Sequence, residues 1–330
     1  MIVIRAPFRA SFFGGGSDIP SFYREHGGAV LSTAINRHMF LTGRRMFDAR
    51  ETLLKYSKTE LVESVEEIQH PIFREALQLF KLSGLDIGVS SDIPSGSGLG
   101  SSSTFTVALV SLLSEMVGDK ITKKRIAELA CTIELERLQE PIGKQDQYAS
   151  AMGGMNLITF NEDNTVEVRP LLLSAADQSY LDHTLLLVQL PEPPRAASAV
   201  LTRMAAFQKS SNSATGATRE LAQLARRGFV DIQTNGIRVL PDLLNEGWDL
   251  KKRANPIESM EVAREMMELG LKSGALGGKL LGAGSGGFLL FVVPLENQEK
   301  FYRSLSTVRI LKIRPDLDGV TTIYREENKQ

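Results

Sequence analysis

The residues best placed to do chemistry lie at 94–104, which read Pro94-Ser95-Gly96-Ser97-Gly98-Leu99-Gly100-Ser101-Ser102-Ser103-Thr104. Glycines recur at every second position, and a run of hydroxyls follows. Without Cβ atoms, glycines let backbone N–H groups approach an anion closely. Alternating apolar residues over 85–91 predict a strand before the loop, and the Ala-, Val- and Leu-rich segment 104–117 predicts a helix after it. In that order the loop presents its contents to the unpaired N–H groups and the dipole of a helix N-terminus. The reading is a site for the triphosphate of a nucleotide. It is not the lysine-bearing phosphate loop, because no lysine stands between Asp92 and Gly118. Nor is it the dinucleotide pattern, since the spacing is G-x-G-x-G and Asp119 follows a glycine near the helix end. The bland reading is an ordinary strand-to-helix turn.

Three further stretches carry chemical groups. Near the start, Arg9 and Asp18 flank the triple glycine Gly14-Gly15-Gly16, which is entropically costly and so marks a close approach to a ligand or another segment. A tight hairpin with a surface ion pair would explain it equally well. At 143–154, Gly-Lys-Gln-Asp-Gln-Tyr-Ala-Ser-Ala-Met-Gly-Gly predicts a short helix over 144–151 carrying Asp146, the candidate general base. At 277–287, six glycines in eleven residues lead into the apolar strand 288–293, forming a second glycine loop able to cover the first. Glu134 sits at the edge of the apolar stripe Ile126, Leu129, Ala130 and Ile133, where the residues alone favour solvent.

The elements that must position these groups read as α+β. Strands are predicted at 2–5, 29–35, 39–42, 52–56, 85–91 and 155–160, with helices at 70–83 and, from an N-cap at Thr122, over 122–138. Beyond a boundary near 165–180, strand 183–190 is followed by helices at 196–209, 216–227, 236–253 and 258–272. The chain closes with helix 297–306 and strands at 308–313 and 320–324. The expected domains are 1–170 and 171–330. Of 330 residues 42% are apolar and 23% charged, as in ordinary globular proteins, and a net charge of −1 gives no global attraction for nucleic acid or anionic membrane. The one cysteine, Cys131, permits no internal disulfide and suits a reducing compartment. His26, His38, His70 and His183 show no zinc spacing, and no G-x-S-x-G elbow is present. The N-terminus lacks a signal-peptide pattern, and no apolar run reaches the roughly 18 residues of a membrane helix. The expectation is a cytoplasmic monomer or homodimer with no nucleic-acid or membrane partner.

Three glycine-rich stretches in this order resemble the GHMP small-molecule kinases along nearly the whole chain. Pro94-x-Gly-x-Gly-Leu-Gly-Ser-Ser102 is similar to their phosphate loop. Arg9 and Asp18 match the arginine and final aspartate of the galactokinase-type first motif, although Gly15 and Gly16 replace its Glu-His. Gly143-Lys-Gln-Asp-Gln147 matches the segment bearing the catalytic aspartate, and Ser285 replaces one glycine of the last motif. Within the family, Phe8 to Pro20, Tyr56 to Glu60 and Leu250 to Lys252 are similar to the heptose 7-phosphate kinases. The resemblance implies a two-domain GHMP kinase fold, with an N-terminal ribosomal-protein-S5-like α/β domain and a C-terminal ferredoxin-like α+β domain. It implies ATP over residues 94–102 and Mg²⁺ on Ser102 (or Ser101) and Glu134. It also implies Asp146 orienting the attacking hydroxyl, Arg9 beside it, and substrate contacts from Asp18, Gly15, Gly16 and Gly284. A sugar phosphate would need a second anion site; Arg195 is the first candidate, for its bidentate fork, and Lys251 and Lys252 are weaker ones. The alternatives are a kinase of a free sugar such as fucose and a catalytically silent ligand sensor.

Overall fold

The computed structural model describes residues 1–191, 202, 206–207, 211–254, 260–282 and 287–326. Arg195, Gly284, Ser285 and most of the expected helix 196–209 lie outside these residues. Two β-sheets organise the rest. The larger has the strand order β12-β1-β2-β5-β3-β4, with β6 pairing β2 and β7. Its members are β1 (Ile2–Phe13), β2 (Gly28–Arg45), β3 (Thr52–Lys55), β4 (Thr59–Val62), β5 (Leu85–Ser91), β6 (Met155–Phe160), β7 (Val166–Pro170) and β12 (Thr321–Arg325). The smaller sheet is ordered β11-β8-β10-β9, from β8 (Leu185–Gln189), β9 (Gly277–Leu280), β10 (Phe288–Val292) and β11 (Ile310–Lys312). The sheets therefore divide between β7 and β8, while the last strand returns to pair antiparallel with β1.

Several expected elements differ in extent. β1 does not stop at residue 5 but runs through Arg9 to Phe13, because its register with β2 shifts between Pro7 and Phe8 and lets the proline be absorbed at an irregularity. The two strands expected at 29–35 and 39–42 are one long strand, β2. It pairs with β6 through residues 28–33 and with β5 through residues 39–45. The expected strand 183–190 begins as the end of a helix, Ala175–Thr184, and becomes β8 only at Leu185.

Helix α1 is Pro20–His26, α2 is Pro71–Phe80 and α3 is Ser101–Val117. α3 is buried on nearly every side, through Phe105, Val107, Leu109, Val110, Leu112 and Leu113 among others, which is the pattern of a central helix. It begins at Gly100 and ends at Gly118, both left-handed, with φ of 81° and 78°. α4 (Lys123–Cys131) is capped by Thr122, whose hydroxyl accepts from the Arg125 N–H at 3.1 Å. It continues as a π-helical turn over Thr132–Arg137. α5 is Gln145–Met152.

Candidate active site

Arg9, Asp146 and the phosphate loop meet at one point. From β1, Arg9 Nε donates to Asp146 Oδ1 at 2.6 Å and Nη2 to Oδ2 at 2.7 Å, a bidentate pair. Its third arm, Nη1, donates to the Gly98 carbonyl at 2.8 Å, and its backbone N–H donates to the Leu99 carbonyl at 3.2 Å. The arginine thus fixes the carboxylate and the glycine loop in one frame. Gly100 is required twice over: its φ is positive, and a Cβ there would lie 2.9 Å from Asp146 Oδ2.

Asp18 lies beside this pair, not opposite Arg9 across a hairpin. It is buried, and its carboxylate accepts from the Gly16 N–H at 2.9 Å and the Gln145 N–H at 3.2 Å. Burial first, and then the charge of Asp146, push its pKa above the ordinary value, against the pull of those N–H groups. Gly143 permits the approach, since a Cβ there would fall 1.9 Å from Asp18 Oδ2.

Glu134 does not face solvent, as its place on the helical stripe suggested. The π-helical turn shifts the phase of the helix and turns it inward, where it is 1% exposed. It accepts from Ser102 Oγ at 3.1 Å and from Gln147 Nε2 at 2.7 Å. Burial pushes its pKa up to about 7, despite the lowering effect of those partners. A serine hydroxyl and a buried carboxylate on one cavity wall form a hard-oxygen set that fits Mg²⁺, which keeps several waters and needs few protein ligands. Among the described residues no group of three or more His, Cys, Asp or Glu could hold a metal by itself.

These groups line a cavity of about 860 Å³. One end is apolar, with Tyr56, His70, Ile93 and Phe105; the His70 ring stands 5.0 Å from Tyr56 and 5.2 Å from Phe105. The other end is polar. Ser11 Oγ, Ser97 Oγ and Gln145 Oε1 line the cavity, buried and without a hydrogen-bond partner among the described residues. The described ends of the second glycine loop pack on the first: a Cβ on Gly282 would lie 2.6 Å from Gly98 Cα, and one on Gly287 would lie 2.5 Å from the Ser97 carbonyl oxygen. Gly15 and Gly16 line the cavity as well.

The basic pair at 251–252 separates. Lys252 turns away to Asp249, at 2.6 Å, and over the Trp248 ring. Lys251 lines the cavity and donates to the carbonyls of Leu280 and Gly282 at 2.9 and 2.6 Å. Sequence reasoning missed Ser11, Gln145 and Lys279, all in the lining. Ser11 was open to inference, two residues from Arg9 on one strand and so on the same face. Lys279 gave no signal beyond a charge inside a glycine-rich segment.

A glycine loop at a helix N-terminus, a carboxylate held by arginine and an adjacent hard-oxygen pair are the groups that phosphoryl transfer requires. Residues 59–154 match the GHMP kinases N terminal domain, and residues 229–309 match GHMP kinases C terminal. The chain belongs to the GHMP kinase family and has its two-domain α+β fold. It is 28% identical to a D-glycero-alpha-D-manno-heptose 7-phosphate kinase of Campylobacter jejuni, over 91% of this chain and 92% of that protein. It is 25% identical to a bifunctional fucokinase/GDP-fucose pyrophosphorylase of Arabidopsis thaliana, over 91% of this chain and 30% of that one. Among solved structures, a D-glycero-D-manno-heptose 1-phosphate kinase from Bacteriodes thetaiotaomicron superposes with a TM-score of 0.79 at 23% identity, covering 99% of this chain and all of that one. Among the described residues no helix is long and apolar enough to cross a membrane.

Proposed function

We propose that the protein transfers the γ-phosphoryl of ATP to the anomeric hydroxyl of D-glycero-D-manno-heptose 7-phosphate, giving the 1,7-bisphosphate. The observation that carries the reaction type is the Arg9–Asp146 pair, hydrogen-bonded to the phosphate loop at Gly98. The sugar class is supported by the 28% identity to the heptose 7-phosphate kinase. In this reading residues 1–170 supply the nucleotide site and the base, and residues 171–330 supply the covering glycine loop.

ATP lies with its phosphates along residues 94–102 and its base toward the apolar end of the cavity. Ser102 and Glu134 would hold Mg²⁺, which would supply charge neutralisation for the phosphate oxygens. Asp18 accepts hydrogen bonds from sugar hydroxyls and so holds the acceptor beside Asp146. The anomeric oxygen attacks the γ-phosphorus, its proton passes to Asp146, and the bond to the bridging oxygen breaks with its electron pair leaving on ADP. Arg9 aligns Asp146 through both carboxylate oxygens and offsets charge near the transferring group.

Similarity to a fucokinase supports a second reading, phosphorylation of a free sugar such as fucose. The test is ATP consumption with Mg²⁺ against heptose 7-phosphate, mannose 6-phosphate, sedoheptulose 7-phosphate, fucose and galactose. Turnover on heptose 7-phosphate with a bisphosphate product is expected. Turnover on free fucose in its place overturns the substrate, and no turnover on any sugar overturns the reading.

A further inference from the structure

Two of the three consecutive glycines after β1 are required by the backbone. Gly14 and Gly16 adopt positive φ, 89° and 96°, and a Cβ on Gly14 would fall 1.9 Å from the Ala29 carbonyl oxygen. Neither reason holds for Gly15. Its φ lies outside the left-handed region, and a Cβ built on it would meet nothing nearer than Gln145 Nε2 at 3.6 Å and Ser11 Oγ at 3.7 Å, ordinary contact distances. The fold would accept a side chain at this position. It would enter the cavity, which Ser11, Gly15 and Gln145 all line. The two side chains it would touch are unexplained in the same way. Ser11 is 5% exposed, and its Oγ has no partner among the described residues. Gln145 holds Asp18 through its backbone N–H, which leaves its side chain with no part in that contact, and its Oε1 is likewise buried without a partner. Buried polar groups are normally hydrogen-bonded, and leaving one unpaired is costly.

We infer that Ser11, Gly15 and Gln145 form the subsite for one hydroxyl of the acceptor sugar. Ser11 and Gln145 are its hydrogen-bond partners, and Gly15 keeps clear the space it occupies. This rests on the kinase reading above and deepens it by saying which end of the acceptor meets this wall. A serine hydroxyl turns to donate or accept, and an amide offers both roles at once. Neither carries charge. Asp18 stands beside them, its carboxylate fixed by the Gly16 and Gln145 N–H groups, and an ionised carboxylate only accepts. A hydroxyl suits such a set, because it donates to one group and accepts from another. A phosphate does not, because it brings negative charge to a carboxylate with no cation in the set. The acceptor therefore enters with its uncharged, hydroxyl-bearing end against Gly15, and any phosphate it carries lies away from this wall. Selectivity follows from the same geometry: a sugar lacking that hydroxyl leaves two buried polar atoms unpaired.

The test compares wild type, Ser11→Ala, Gln145→Met and Gly15→Ala in steady-state turnover, in calorimetric titration with an unreactive ATP analogue present, and in thermal unfolding. The probes are heptose 7-phosphate and fucose, each with its single-deoxy analogues. Loss of one neutral hydrogen bond is roughly 3- to 10-fold in affinity. Ser11→Ala and Gln145→Met are each expected to raise the acceptor KM and Kd by that factor, with kcat and the KM for ATP little changed. Gly15→Ala is expected to raise them by about tenfold or more, since its methyl group takes the hydroxyl's place. Each variant should unfold within about 2 °C of wild type; a larger fall in Gly15→Ala or Ser11→Ala would show that the residue serves the fold, and would overturn the inference. One deoxy analogue should lose in wild type what Ser11→Ala loses on the parent sugar, and lose nothing more in the variant. Strict additivity for every analogue, or acceptor constants within about 1.5-fold of wild type in all three variants, would also overturn it. So would an equal loss for ATP. Turnover confined to fucose would sink the proposed substrate and leave the same comparisons to be read on fucose. A wild type that binds a sugar without turnover would sink the reaction, and the inference would then stand or fall on the affinities. A wild type that binds neither sugar would overturn both.

Discussion

Replacing Glu134 by glutamine is expected to stabilise the protein while disabling it. Glu134 is 1% exposed, and burial raises its pKa from an ordinary 4.5 to about 7. The native state therefore holds the proton more tightly than the unfolded chain. The stability this group contributes is complete below about pH 4.5 and is lost as the pH rises through 7. The gap corresponds to about 3 kcal/mol at pH 8, taking 1.36 kcal/mol per pH unit. Glutamine fills the same space without charge. It keeps the acceptor for Ser102 Oγ, and its amide has a ready partner in Gln147 Oε1, which is buried without one among the described residues. Urea unfolding in EDTA from pH 5.5 to 8.5 measures the difference. Wild type should weaken by about 2 kcal/mol relative to E134Q between pH 5.5 and about 7 and level off above that, whereas the E134Q curve should be flatter. Turnover with Mg²⁺ should fall by about 10²-fold or more if the carboxylate holds the ion. Parallel stability profiles for the two proteins would refute the reasoning about burial, and unchanged turnover would remove Glu134 from the metal site.

Three other outcomes follow from the geometry. Asp146→Asn should lower kcat by about 10²–10⁴-fold with ATP binding retained; near-normal single-turnover rates would remove Asp146 from the chemistry. Gly143→Ala puts a methyl group 1.9 Å from Asp18 Oδ2, so the acceptor KM should rise by about tenfold with little change for ATP; an equal rise for both would show that the whole site had moved. Cys131 is buried and its thiol is pushed well above the ordinary value, chiefly by burial. It should react with a thiol reagent only after denaturation; rapid labelling of the native protein would contradict that burial.

Much of the site could be read because glycine spacing is a backbone signal. Gly96, Gly98 and Gly100 all adopt positive φ, so their pattern reports geometry directly. α3, Thr122 as a cap and α5 follow from periodicity and capping in the same way. The losses share a different cause. Arg9 lies on a strand that runs past Pro7 by a register shift, and nothing local signals that irregularity. Glu134 points inward because a π-helical turn changes the phase on which stripe arguments depend. Lys279 is buried against a carbonyl of β1, a contact between residues 267 apart in sequence. Local pattern carries none of these, since each is decided by what a distant segment supplies.

The return of β12 to β1 orders events in time. Ile2 to Arg5 pair on one side with β2 and on the other with Thr321 to Arg325. During synthesis β1 can find β2 within some forty residues, but its other edge stays open until residues 321–325, more than 300 positions further along, have been made. An unpaired strand edge is a template for pairing with another chain. Truncation before Thr321 would remove no catalytic group named above, yet it would expose that edge permanently. Aggregation, not slowed turnover, is the form such a defect would take.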